Sequence, residues 1–114
     1  MFEGCTGLTE VTEFSPYEPI ETYTSCFENM FKDCTNLKKV VFGPIGLGES
    51  YDFKNMFLNC SKLSYIKIGF PYWAGNTENW VEGVAENGTF VCPKDLNQSF
   101  GPSYIPVGWT VETY

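Results

Sequence analysis

At 114 residues the chain is long enough for one small domain, and with 43% hydrophobic and 18% charged residues it has the apolar content of a packed core, not the composition of a disordered segment. A net charge of −7, with every basic residue a lysine, argues against nucleic acid or an anionic membrane surface as partner, and no apolar run approaches the ~20 residues of a membrane-spanning helix. Histidine is absent, which removes the commonest general base and metal ligand, and the five cysteines are an odd number, so at least one thiol is free or paired between chains.

In chain order, Met1-Phe2-Glu3-Gly4-Cys5-Thr6-Gly7-Leu8 leads to Val11, which fits a strand. The next inward position then holds Glu13, and Phe14 comes one residue late. Ser15–Ile20 carries two prolines and reads as an irregular linker. Phe27, Phe31 and Cys34 then recur at i, i+4, i+7, the apolar stripe of a short helix. Leu37 turns the corner, and Val40 and Phe42, with Val41 between them, predict a strand that stops at Gly43. After a second linker, Pro44–Ser50, the pattern returns with Phe53, Phe57, Cys60 and Leu63. Ile66 and Ile68 are expected inward, Tyr65 and Lys67 outward, with Gly69 as the stop.

Beyond Gly69 the pattern changes. Phe70–Gly75 is an aromatic loop, and Asn76 or Thr77 is a good N-cap for a short helix with Trp80, Val81 and Val84 on one face. Asn87-Gly88 ends it. Thr89–Cys92 reads as a strand stopped by Pro93, residues 94–106 as a loop, and Trp109-Thr110-Val111 as a last short strand.

Three segments share one pattern, Met-Phe-x-x-Cys-(Thr/Ser)-x-Leu, beginning at Met1, Met30 and Met56 with spacings of 29 and 26 residues. Their flanks match too: Phe27-Glu28-Asn29 with Phe53-Lys54-Asn55, and Val40-Val41-Phe42-Gly43 with Ile66-Lys67-Ile68-Gly69. A unit of one or two helical turns, a corner and a short strand cannot bury its apolar face alone, whereas stacked units join their strands into a sheet and their stripes into a core. The expected core positions are Cys5 and Leu8, then Phe31, Cys34, Leu37, Val40 and Phe42, then Phe57, Cys60, Leu63, Ile66 and Ile68.

The pattern resembles the BspA-like leucine-rich repeats of surface proteins in gut and oral bacteria and some parasitic protists. The resemblance covers Met1 to Gly69, and Asn79–Val84, Gly88–Phe90 and Ile105–Val111 look like the ending of such arrays. It implies a right-handed α/β repeat solenoid with one short strand per repeat over residues 1–69, closed by a small α+β cap over 70–114. It also implies a bacterial adhesive or protein-binding module at the cell surface or outside the cell, and it brings no catalytic residues. Such arrays are usually longer, and at least three units are normally needed for stability. The expectation is therefore a C-terminal piece of a longer array, or an open N-terminal edge covered by a partner or by self-association.

Candidate sites follow from the register. Stacking places Glu10, Lys39 and Tyr65 in one outward row and Thr12, Val41 and Lys67 in another. This is the candidate binding face for a protein, possible host proteins included, or for a glycan. Trp73, Trp80 and Trp109 all fall in the cap, where they fill a core or form a sugar platform; core filling is the expectation. Cys5, Cys34 and Cys60 form a column without a Cys-x-x-Cys pair, expected to be buried apolar residues and not a metal or redox site. Cys26 and Cys92 lie outside the column, and the sequence does not decide whether they pair. Sequons stand at Asn59, Asn87 and Asn97. No calcium loop or phosphate loop is present, histidine is absent and the resemblance brings no catalytic residues, so no enzyme activity, metal or cofactor is expected. An architectural piece of a larger surface or particle assembly and a carbohydrate-binding module remain the alternatives.

Overall fold

The computed structural model describes residues 4–14, 29–42, 53–69, 73 and 77–114. Five short strands lie within them: β1 (Glu10–Phe14), β2 (Lys39–Phe42), β3 (Tyr65–Lys67), β4 (Thr89–Cys92) and β5 (Thr110–Thr113). They form one parallel sheet in chain order, open at β1 and β5 and not closed into a barrel. One strand per sequence unit, each laid beside its predecessor, is compatible with a repeat-like fold. Among the described residues no helix is long and apolar enough to cross a membrane.

The register follows the sequence units. Val40 pairs with Ile66 and Ile66 with Phe90, so equivalent inward residues stand side by side. In β1 the extra residue before Phe14 is absorbed by an irregularity. Val11 faces Val40 and Phe14 faces Phe42, although three residues separate the first pair from the second on β1 and two on β2. The late phenylalanine thus rejoins the register through a bulge.

The helical turns expected around Phe31 and Cys34, around Phe57 and Cys60, and around Trp80 are not helices. Among the described residues the chain contains strands and turns only. The reason is a left-handed residue at every fourth position. Asn29 and Asp33 have φ of 58° and 62°, Asn55 and Asn59 of 56° and 63°, and Asn79 and Gly83 of 54° and 82°. A right-handed helix cannot pass through such residues, and Asn, Asp and Gly are the types that adopt this conformation at least cost. Short-range bonds still form, as from the Cys34 N–H to the Phe31 carbonyl at 3.1 Å. The alternate N–H groups point along the stack instead: Asn29 donates to Lys54, Phe31 to Met56 and Asp33 to Leu58. One level on, Asn55 donates to Glu78, Phe57 to Trp80 and Asn59 to Glu82. The turns therefore carry a second inter-unit ladder opposite the sheet, and the period-four apolar stripe serves stacked turns. Phe27 lies outside the described residues.

The core lies between these two ladders. Phe31, Cys34, Leu37, Val40, Phe57, Cys60, Leu63, Ile66 and Ile68 are fully buried, and Phe42 nearly so. Phe31 stacks on Phe57 with centroids 5.7 Å apart and planes at 5°, and Phe53 stacks on Trp80 at 6.1 Å. The first pair joins equivalent rings of adjacent units, while in the second Trp80 stands at the position that Met56 holds one level earlier; such pairs add roughly 0.5–1.5 kcal/mol beyond burial. Cys5, Leu8 and Val11, in the first unit, are only half-buried against this core.

The C-terminal region expected as an α+β cap contributes no helix among the described residues. It supplies two further levels of the same sheet. Tyr65 aligns with Thr89 and Thr89 with Thr110. On the turn side the last level closes on itself. Gly101 donates to the Ile105 carbonyl at 2.8 Å and Ile105 donates to Ser99 at 3.0 Å, while the Pro102 carbonyl accepts from Val81.

Candidate binding face

Because strand side chains alternate, the rows left outward are fixed by the inward ones. The register sets Glu10, Lys39, Tyr65, Thr89 and Thr110 in one row. Val41, Lys67, Val91 and Glu112 align in the second, in which Val91 is buried. Thr12 lies in the irregular part of β1, and its side chain is outside the described ones. Lys39, Val41, Tyr65 and Lys67 are half-buried, while Glu10 and Glu112 are exposed. The repeat pattern reaches only three members of the first row. Thr89, Thr110, Val91 and Glu112 were missed because the last two units carry none of the Met-Phe-x-x-Cys pattern. The alternation of Phe90 and Cys92 with Thr89 and Val91 is the signal that could have extended the rows.

Two lysine–aromatic seats lie along this face. The Lys39 ammonium stands 5.0 Å from the Tyr65 ring centroid, and the Lys67 ammonium 5.2 Å from that of Tyr114. Tyr114 is held by its hydroxyl, which donates to the Ile68 carbonyl at 2.7 Å, and by its N–H to the Cys92 carbonyl. Partial burial, with the nearby Cys92 thiol, raises the Tyr114 hydroxyl's pKa.

The cysteine column is an internal feature. Cys34 and Cys60 are buried and Cys5 half-buried, and the Cys60 thiol donates to the Phe31 carbonyl at 2.9 Å. Burial, reinforced by the Cys34 thiol, pushes the Cys60 pKa up to about 12, and burial also raises those of Cys34 and Cys92. Among the described residues no group of three or more Cys, Asp or Glu side chains is placed to hold a metal ion. Cys92 is a buried thiol, and Cys26 lies outside the described residues.

The tryptophans serve the core. Trp80 is fully buried and Trp109 nearly so, and Trp73 is half-buried. Each indole N–H is taken by a carbonyl: Trp73 by Asn97, Trp80 by Tyr104 and Trp109 by Ala85, at 2.7, 2.8 and 2.8 Å. All three sequon asparagines, Asn59, Asn87 and Asn97, are exposed, and the Asn59 amide donates to Asp33 at 3.0 Å from a left-handed turn position. A polar ladder runs along the corner, from Lys62 to Asn36 at 3.1 Å and from Asn36 to the Thr6 carbonyl at 2.6 Å. No protein-family model, curated protein or solved structure matches the chain.

Proposed function

We propose that the chain is a non-catalytic, protein-binding or adhesive surface module built as a BspA-like leucine-rich-repeat solenoid, with the outward sheet face as its binding surface. One observation carries the reading. Equivalent residues of successive units stand in continuous outward rows on a sheet whose inward rows form the core. Such a surface presents side chains at a fixed pitch on a rigid support, which suits recognition of an extended partner. The absence of histidine from the chain and the inert environment of its buried thiols are consistent with a module that does no chemistry.

The test is binding of the purified chain to intact cells and immobilised matrix proteins, compared with Tyr65→Ala and Val41→Asp variants that keep the parent melting temperature. Loss of binding in these two, and not in Lys32→Gln on the turn side, supports the reading. Equal binding by all of them overturns it.

A second reading, an architectural piece of a larger assembly, is favoured by one observation. Cys5, Leu8 and Val11 are half-buried where their counterparts Cys34, Leu37 and Val40 are fully buried. That apolar end, beside the open edge of β1, suits another copy or a further repeat.

A further inference from the structure

We propose that the outward sheet face takes an acidic, extended polypeptide segment, with Lys39 and Lys67 receiving carboxylates from alternate residues of that segment. The proposal rests on the reading of this face as the binding surface and adds the chemistry of the partner.

The first ground is charge. The seven lysines share the described residues with seven acidic side chains, two of which, Glu10 and Glu112, stand in the outward rows. Among the described residues the ion pair is Lys54 with Glu78, at 3.8 Å on the turn side. Lys39 and Lys67 have no carboxylate within ion-pair distance among the described residues, although Glu10 is the register partner of Lys39. Instead their ammonium groups rest on tyrosine rings at 5.0 and 5.2 Å. A cation–π seat restrains the long side chain and leaves ammonium protons free to donate, so part of the ordering entropy is lost before a ligand arrives.

The second ground is spacing. Lys39 aligns with Tyr65, two residues before Lys67 on the adjacent strand, so the two lysines are diagonal neighbours with Cα atoms about 8 Å apart. Same-side residues of an extended peptide repeat every ~6.6–6.8 Å, within reach of two flexible ammonium groups. The third ground separates a peptide from an acidic sugar. Sugar stacking needs a free aromatic face, and here a lysine covers one face of Tyr65 and another one face of Tyr114, while Trp80 and Trp109 are buried in the core and half-buried Trp73 packs against it. Flat sheet rows with paired charges and occupied rings favour carboxylates on a polypeptide.

The experiment titrates the full chain with a fluorescently tagged peptide of alternating Glu and Ser, its Gln–Ser counterpart and a short oligogalacturonate. Anisotropy gives affinity, and amide chemical shifts locate the site. The expected result is saturable Glu–Ser binding that weakens with added salt, with shifts centred on Tyr65–Lys67. In K39Q/K67Q the affinity falls about tenfold, consistent with two exposed pairs, and K39R/K67R retains it. An unchanged melting temperature shows that the substituted chains fold, and K32Q on the turn side binds as the parent does. Equal affinity for the Gln–Ser peptide at this face overturns the acidic assignment and leaves the face as a peptide-binding surface. No shift at the face with either peptide overturns the acidic assignment and the reading of the face together. Tighter binding of the oligogalacturonate than of the Glu–Ser peptide overturns the polypeptide assignment in favour of an acidic glycan.

Discussion

Phe57 and Tyr65 are both aromatic and eight positions apart in one unit, yet their surroundings differ completely. Phe57 is fully buried and touches Phe31, Phe42 and Trp80 through ring contacts, whereas Tyr65 is half-exposed under a lysine. Phe57→Ala is expected to cost about 3–5 kcal/mol, the usual range for emptying a buried aromatic site. Tyr65→Ala should cost under about 1 kcal/mol, a lost exposed cation–π contact. Urea denaturation of both variants checks the ranking, and the reverse order would misplace the two faces. The Cys60 thiol gives a pH test. Its native pKa of about 12 lies above the ~8.5 of an unfolded cysteine, so between these values the unfolded chain has lost a proton that the native chain retains. Cys60 therefore contributes stability that is intact below about pH 8.5 and is lost as pH rises toward 12. Replacement by serine or alanine should flatten the alkaline limb of a melting-temperature profile. Native Cys60 should also react with a thiol reagent only as fast as the chain opens, so rapid labelling would contradict its burial.

The turns and strands of each unit rest on a few backbone positions. Asn55 holds φ of 56°, so Asn55→Gly should be nearly neutral and Asn55→Val should destabilise by about 1–2 kcal/mol, the penalty of a branched residue in the left-handed region. Gly88 is required for a different reason. Between the fourth turn and β4 the backbone passes so close to its neighbours that a Cβ there would lie 2.5 Å from the Ser64 carbonyl oxygen and 2.6 Å from the Trp109 ring. The Ser64 carbonyl accepts from the Thr89 N–H at 2.9 Å, and the buried Trp109 indole is tied to the Ala85 carbonyl at 2.8 Å. Gly88→Ala is expected to destabilise by at least the ~1–3 kcal/mol of an overpacked site, readable as a lowered denaturation midpoint with an unchanged slope. A parent-like midpoint would show that the third and fifth levels are less tightly joined than the geometry indicates.

At the scale of the whole molecule the two ends of the sheet differ. At the C-terminal end the turn over 99–105 bonds partly within itself and Ile105 and Trp109 are buried, while β5 is the other edge of the sheet. The N-terminal end presents half-buried Cys5, Leu8 and Val11 beside β1, whose sheet partner among the described residues is β2 alone. In a stack governed by neighbour-to-neighbour interfaces, covering that end adds one interface. Sedimentation of the chain is expected to show self-association that rises with concentration and is lost in Val11→Lys. Extension by one upstream repeat should raise the melting temperature. A concentration-independent monomer that gains nothing from extension would mean that the first unit is complete as it stands.

The sequence by itself determined the repeat, the approximate positions of the five strands and the inward–outward alternation in β2 and β3. These are local consequences of spacing, because side chains in a strand alternate and a unit with one apolar edge must stack. The late Phe14 marked the first unit as irregular, and the register shift in β1 showed how the irregularity is absorbed. Only the tertiary structure decided that the period-four stripe belongs to stacked turns. Helices and such turns share the spacing of Phe31 and Cys34, and what separates them is the left-handed geometry of Asn29, Asp33 and their counterparts. It also decided that the last two strands extend the sheet. Pairing in a parallel sheet is made by backbone groups, so Thr89–Cys92 and Thr110–Thr113 join the register with none of the motif that marks earlier units. The lysine–tyrosine seats likewise needed the fold, because Lys67 meets Tyr114 only where the chain's end is bonded back onto β3 and β4.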